Sequence, residues 1–582
     1  MLLSVRADRE SFKKVTFTPG LNVILAERTK ESTKRDSRNG LGKTSLIQII
    51  HFCLGGNPSK TLYNDKLADW TFTLDIEILG KKYAISRNTS DRRNVFIEGD
   101  CTEWPIKPEV DEDTGKQLMR IKEDLRQALG SLMFGMQVAY EQKYAPTFRS
   151  CISYYARQNG EKGGFLDPFS HYRSQQEWDK QVNNSYLLGL DWTHASKWQV
   201  LKDRKKVLDQ LKREAESGML EYLQGNIGEL EARKIRLEED LRKQKSELES
   251  FRVHPQYERI EKDANQLTSR IHDLANDNFS DRRLLDYYES SLETEKAASV
   301  ESVEAIYKQA GVVMPDNVKR RLNEVNQFHQ QIVINRKEFL KSEIYRLKQA
   351  LTQRENEIRS FSEQRAELLS ILRTHGALNE YARLQQRNAS MISDLKSVTN
   401  RLESLKKFEQ GKSALKVDLE LLQQQAWVSL DERSKIKEEA IALFNSNSQS
   451  LYESPGELSV NVTPKGYVFK VDIQREGSHG ISNMKIFCYD VMLAQLWAKK
   501  EVSPRFLIHD SILFADVDER QTALALELAS RESEKLKFQY ICTMNSDGVP
   551  YRDFSEDFKF DDYVRVRLTD KTEDGSLFGI RF

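Results

Sequence analysis

The sequence predicts an α/β protein in which the N- and C-terminal segments form globular lobes and a long antiparallel coiled coil runs between them. Three observations carry this reading. Near the N-terminus, a strand, a glycine-lysine-threonine loop and an apolar helix follow one another. Near the C-terminus, a short apolar strand ends in Asp510. Between them, about 245 residues are almost entirely helix-forming, with apolar residues at heptad-like spacing. The expected boundaries are 1–194 for the first lobe, 195–441 for the coil and 442–582 for the second lobe.

In the first lobe, FTPGLNVILA (17–26) reads as a strand and TSLIQIIHFCLGG (44–56) as a helix stopped by a double glycine. The segment joining them ends in DSRNGLGKTSLI. It fits the phosphate-loop pattern G-x-x-x-x-G-K-[ST] at Gly42, Lys43 and Thr44, but Ser37 stands where the first glycine belongs. Phosphates need backbone N–H groups from Asn39 and Gly40 through Thr44 and Ser45. They also need the Lys43 ammonium, and the Thr44 hydroxyl on Mg²⁺. Ser37 lies outside that cradle. The polar run from Glu27 to Asp36 therefore reads as an excursion at the strand end, and the loop as a true nucleotide loop. FTLDIEI (72–78) and KYAIS (82–86) read as a hairpin through Leu79-Gly80-Lys81.

In the coil, stretches such as ELEARKIRLEEDLRKQKSELES place charges beside apolar seams. The alternative is a bundle of long helices packed on themselves. AGVVMPDN (310–317) carries Gly311 and Pro315 near the midpoint and marks an apex. Pro255 and Gly376 stand 60 and 61 residues from Pro315, so they would face each other as an elbow. Each half-arm of roughly 60 residues would measure about 90 Å.

In the second lobe, strands are expected near 458–463, 467–473, 505–510, 539–543 and 563–568. PRFLIHDS places Asp510 at a strand tip, where a carboxylate can hold the Mg²⁺ that bridges nucleotide phosphates. Upstream, GSHGISNMKIFCYDVMLAQLW opens a helix from a Gly/Ser-rich turn. The N–H groups there can meet an anion, with Ser482 able to add a hydroxyl.

Taken together, these motifs resemble an ABC-type ATPase of the SMC/RecN class, over essentially the whole chain. NGLGKTSL is similar to Walker A, ISNMKIF to the signature helix, FLIHD to Walker B and VDERQ to the D-loop. Gln158 in SYYARQNG is the candidate Q-loop glutamine. HDSILFADVDERQ, TMNSD and NEVNQFHQQIVINR resemble, more narrowly, a bacterial subfamily known by a C-terminal domain of unknown function. Its relatives occur in anti-phage systems such as Lamassu and in three-component ABC-ATPase systems.

The resemblance implies ATP and Mg²⁺ as cofactors. Asp510 and Gln158 would be the catalytic residues, and Thr44, Gln158 and Asp510 the metal ligands. Nucleotide contacts would come from Asn39, Gly40, Gly42, Lys43, Thr44 and Ser45, with Ser482, Asn483, Asp518 and Asn545. It further implies a homodimer joined through the heads by ATP, DNA as a partner, and effector and accessory subunits on other chains. Two departures bear on hydrolysis. The class places a glutamate after the Walker B aspartate, where this chain has Ser511. The class also carries a switch histidine after the next strand, where this chain reads YICTMNSD, leaving Thr543 or Asn545. Slow turnover is expected.

The bulk numbers limit the partners. Lys+Arg and Asp+Glu are 89 each, so no global field attracts nucleic acid. A local candidate is KWQVLKDRKKVLDQLKR (197–213), with seven basic and two acidic residues. Lys197, Lys202, Arg204, Lys205 and Lys206 would meet DNA phosphates without reading sequence. Charged residues at 31% and a mean hydropathy of -0.64 suit long exposed helices. Five scattered cysteines offer neither a disulfide framework nor a zinc site. With no signal-like N-terminus and no apolar run near the ~20 residues that span a bilayer, a cytoplasmic protein without membrane contact is expected.

The leading expectation is thus an ATP-gated DNA sensor or clamp of a defence complex. A DNA double-strand-break repair or tethering ATPase and a non-catalytic coiled-coil scaffold are the alternatives. DNA-damage sensitivity on deletion would mark the repair factor, and failure to bind micromolar ATP the scaffold.

Overall fold

The computed structural model describes residues 1–27, 41–112, 115–140, 142–158, 163–217, 220, 223–250, 255–294, 316–372, 378–473 and 479–580. They form two compact units, one of Met1–Arg204 with Leu415–Phe582, the other of Lys205–Ala414.

The first unit, the head, carries the strands. They are β1 (Leu2–Ala7), β2 (Val15–Thr16), β3 (Gly20–Glu27), β4 (Thr71–Ile78), β5 (Lys81–Asn88), β6 (Asn94–Glu98), β7 (Glu109–Val110), β8 (Gln117–Arg120), β9 (Glu457–Thr463), β10 (Gly466–Asp472), β11 (Phe506–His509), β12 (Gln539–Asn545) and β13 (Val564–Thr569). Seven of them make an antiparallel sheet in the order β2-β1-β4-β5-β6-β8-β7. Strands β9 and β10 form a hairpin.

The sheet that positions the site is parallel, in the order β11-β12-β3-β13. Its strand β3 comes from the N-terminal part of the chain, and its neighbours come from the C-terminal part. Neither lobe could form this sheet alone. β3 and β12 are buried almost end to end, as strands covered on both faces must be.

The head helices are α1 (Lys43–Cys53), α2 (Arg126–Phe134), α3 (Phe148–Tyr155) and α4 (Glu177–Leu187), with α10 (Ser434–Tyr452), α11 (His479–Ala498) and α12 (Glu519–Leu536) from the C-terminal part. Helix α1 ends as the sequence requires. Gly55 follows with φ +74°, a left-handed conformation open to glycine. The chain's two ends interlock: Phe72 packs edge-on against Phe12, Phe52 and Phe578.

The second unit is helical. It takes the later part of α5 (Trp192–Glu216), all of α6 (Ile227–Ser250), α7 (Pro255–Thr294) and α8 (Asp316–Leu372), and most of α9 (Leu378–Glu432). Helices α7 and α8 pair antiparallel, through Asp281–Arg354 and Glu289–Lys348. Helix α6 meets α9 through Glu231–Lys406 and an apolar cluster of Leu230, Val398, Leu402 and Leu405. Asn265 bonds Tyr381 and Asn276 bonds Ser393, so α7 runs parallel to the start of α9. The helices stop at Ser250 and Leu372 and resume at Pro255 and Leu378. Gly376 lies outside the described residues, as does the expected apex apart from Asp316 and Asn317.

The unit boundaries differ from those expected at 194 and 441. The head keeps the helix ends on both sides because Ala195, Trp198, Leu422, Ala426 and Leu430 are buried in its core.

Candidate functional site

Parallel sheets place ligands beyond the carboxyl ends of their strands. Here β3 ends at Glu27, β11 at His509 and β12 at Asn545, side by side. The segment 28–40, with Asn39 and Gly40, lies outside the described residues. The chain re-enters at Leu41, and α1 begins at Lys43. Gly42 caps that helix at φ +96°, and a Cβ there would stand 2.5 Å from Leu577 Cβ. Leu577 in turn donates its N–H to the Leu41 carbonyl at 3.0 Å. Only glycine fits between the loop and the C-terminal segment.

Four expected residues, Lys43, Thr44, Asp510 and Asn545, converge at this point. The Thr44 hydroxyl donates to Asp510 Oδ2 at 2.8 Å, across 466 residues of chain. The Lys43 ammonium donates to Asn545 Oδ1. Asp510 Oδ1 accepts the hydroxyls of Ser511 at 3.1 Å and Thr543 at 3.3 Å. Thr543 also accepts the Ser511 N–H at 2.9 Å, which fixes the turn after β11. The Ser511 hydroxyl thus spends its proton on Asp510. Alternation along β11 sends His509 the other way, to the buried side. A hydroxyl and a carboxylate oxygen at hydrogen-bond distance suit Mg²⁺, which takes one or two protein oxygens and the rest from phosphate and water. Among the described residues there is no cluster of three or more His, Cys, Asp or Glu that could hold a metal alone.

Gln158 is brought near by backbone pairing. Ala156 bridges Ile508 in the parallel sense, and Gln158 and Asp510 each follow two residues later. Ser482 is exposed in the first turn of α11. Asn483 bonds the carbonyls of Ile512 at 3.3 Å and Ala515 at 3.0 Å, tying that helix to the segment after Asp510. Gly480 lies so close to Asp516 that a Cβ would meet its carbonyl at 2.3 Å. Asp518 caps α12, accepting the Arg520 N–H. Ser45 is half-buried beside Thr44. On α5, Lys197, Lys202, Arg204, Lys205 and Lys206 are all exposed, and Arg204 pairs with Asp418 at 3.2 Å.

Behind the site lies a polar cluster that the motif reading did not include. Arg157, Asp490 and His509 have fully buried side chains. Arg157 grips Asp490 through Nε at 2.5 Å and Nη2 at 2.8 Å. His509 Nε2 meets Asp490 Oδ2 at 3.0 Å, and Nδ1 meets the Tyr540 hydroxyl at 2.9 Å. A carboxylate can only accept, so the imidazole donates from Nε2, and in its neutral form it accepts the Tyr540 hydroxyl at Nδ1. Burial holds the imidazole below its ordinary pKa, against the pull of Asp490. Burial also opposes the Arg157 charge, but the Asp490 carboxylate outweighs it and raises that pKa.

Residues 447–582 match a family described as an uncharacterised protein conserved in bacteria (DUF2326). Residues 285–409 match C-terminal domain 10 (CTD10) of the ABC-three component systems. The chain is 21% identical over 605 residues to the uncharacterized protein YydD of Bacillus subtilis (strain 168), covering 100% of this chain and 99% of that one. It is also similar to the Smc head domain with a coiled coil and joint from Pyrococcus yayanosii, at 13% identity and a TM-score of 0.36, covering 98% of this chain and 94% of that one. RecF of the RecFOR pathway aligns at 10% identity and a TM-score of 0.26, over 94% of each chain. No helix among the described residues is long and apolar enough to cross a membrane. The DUF2326 match thus falls on the C-terminal part of the head, and the match to the ABC-three-component domain on the helical unit.

Proposed function

We propose that the protein binds ATP with Mg²⁺ and acts as an ATP-gated DNA sensor or clamp in a bacterial anti-phage or anti-plasmid defence complex of the Lamassu or three-component kind. The observation that carries the nucleotide part is the Thr44–Asp510 hydrogen bond, which joins the phosphate loop to the strand-tip carboxylate. The CTD10 match supports a multi-subunit system with its effector on another chain.

Lys43 would hold the β- and γ-phosphates, trading its contact with Asn545 for the nucleotide. Thr44, Asp510 and Gln158 would hold Mg²⁺, which neutralises charge on the phosphates. Asn39, Gly40, Gly42 and Ser45 would line the phosphates. Ser482, Asn483, Asp518 and Asn545 would meet the nucleotide across a head-to-head homodimer or from the same head.

Hydrolysis would be slow, below the ~10 s⁻¹ typical of enzymes. Ser511 donates to Asp510 rather than accepting from water, and an unactivated hydroxyl stays protonated near neutral pH. A long-lived ATP state suits a clamp.

Calorimetric titration with ATP and Mg²⁺ tests the reading. Lys43→Ala should lose ATP binding, and Asp510→Ala should lose its Mg²⁺ dependence. Tight ATP binding by the Lys43 variant would refute the site. For DNA, reversing Lys202, Lys205 and Lys206 to Glu should weaken binding to all sequences and flatten its salt dependence. Unchanged affinity and slope would remove DNA from the α5 surface.

A further inference from the structure

We infer that Asp490 is a positioning residue, the shared joint through which Arg157 and His509 couple the segment after Gln158, the Asp510 strand and helix α11. The inference rests on the nucleotide reading above and concerns how binding at the loop reaches the surface offered to a second copy.

The geometry converges on one carboxylate. Arg157 directly precedes Gln158. Besides its two bonds to Asp490, its guanidinium donates to the carbonyls of Gly164 at 2.9 Å, Pro168 at 2.5 Å and Ser170 at 2.6 Å. It therefore holds the segment 164–170 at both ends. His509 directly precedes Asp510 and donates to the same carboxylate. Asp490 sits mid-helix on α11, whose first turn carries Ser482 and Asn483. None of these contacts is with solvent, since all three side chains are fully buried.

A buried polar network with all partners satisfied has few alternative arrangements. If Gln158 or Asp510 shifts when it takes up a metal-bound nucleotide, Arg157 or His509 shifts with it. Asp490 cannot follow without moving α11, because losing either partner leaves a buried charge or donor unpaired. Simple packing would need no such group. An apolar set of the same volume would fill the space and let each element move alone.

The test is hydrogen exchange on the full chain, at a concentration where light scattering reports a monomer, with and without ATP and Mg²⁺. In the wild type, nucleotide should slow exchange at 41–53 and also at 479–498. The comparison variant is Arg157→Met with Asp490→Asn. It removes both charges together and keeps an acceptor for His509, so it avoids a lone buried charge. It should bind ATP within about threefold of wild type and show protection at 41–53 only. Protection at both segments in the variant would overturn the coupling while leaving the nucleotide reading intact. No protection anywhere in the wild type would remove the nucleotide reading and the coupling with it. Asp490→Glu, which restores the carboxylate, should recover at least part of the response at 479–498. A response no better than that of the double variant would count against the carboxylate as the joint.

Discussion

In the head, charge is placed where water cannot reach it: the side chains of Arg157, Asp490 and His509 are fully buried. In the helical unit, the pairs Arg282–Glu355, Glu289–Lys348 and Glu231–Lys406 all stand with roughly half of each side chain in solvent. The apolar clusters differ in the same direction. The head core runs from Leu2 to Phe578, whereas the α6–α9 cluster has four buried members. The comparison shows two ways to hold helices. The head fixes a few elements in one arrangement at high desolvation cost. The helical unit relies more on partly exposed contacts, with Asp281–Arg354 the more buried exception.

The largest effect should come from unpairing the buried charge. Asp490→Ala leaves the Arg157 guanidinium without its carboxylate and His509 without its acceptor. The expected loss is about 3–5 kcal/mol of head stability, read by denaturant unfolding. A loss under about 1 kcal/mol would mean that water enters the cluster and that the head is not the rigid partner in the comparison. Gly42→Ala should follow, because it combines a left-handed backbone with a 2.5 Å approach to Leu577. Strain of about 1–3 kcal/mol at that residue should be relieved by moving the loop, so ATP affinity should fall along with stability. Retained affinity would show that Leu577 gives way instead.

In the helical unit, the corresponding probe is apolar. Leu402→Ala should cost about 2 kcal/mol, the low end for a buried leucine, because its small cluster can close around the gap. A cost near 5 kcal/mol would place a real core where the structure has only a seam.

What the sequence disclosed follows the same division. Elements with a strong local period could be read: β3, α1, the β4–β5 hairpin, β9–β12, and the helices of the coil. Asp510 and Lys43 could be placed because their chemistry fixes short spacings around them. The Arg157–Asp490–His509 cluster could not be read. Arg157 and Asp490 are 333 residues apart, and a buried arginine looks like any other in sequence. One signal was available. His509 interrupts the apolar run FLIH, and a polar residue in a strand buried on both faces requires a partner. The antiparallel sheet was also largely hidden. β1 pairs with the distant β4 as well as with its neighbour β2, and β2 and β7, at two residues each, are too short to show alternation.

The smallest effect sharpens the comparison most. Arg282→Ala removes one partner of the Arg282–Glu355 pair, whose side chains are 62% and 51% exposed. A pair so placed gains little in water and pays side-chain entropy to form, so the expected cost is about 0.2–1 kcal/mol. Raising salt from about 0.1 M to about 1 M shrinks the screening length from ~10 Å to ~3 Å, so wild type and variant should converge in the helical unit. The Arg157–Asp490 pair has no solvent around it to carry the screening ions, so the head should not respond in this way. The two units can be followed separately in one sample. All seven tryptophans fall within Met1–Arg204 or Leu415–Phe582, so their fluorescence reports the head, while far-UV circular dichroism is weighted towards the long helices. High salt should therefore lower the dichroism midpoint of the wild type towards that of Arg282→Ala and leave the fluorescence midpoint in place. If fluorescence shifts as much as dichroism, the two units unfold together. Surface pairs in the coil would then contribute to the stability of the nucleotide site itself, and the contrast between the two regions would be one of placement rather than of independent stability.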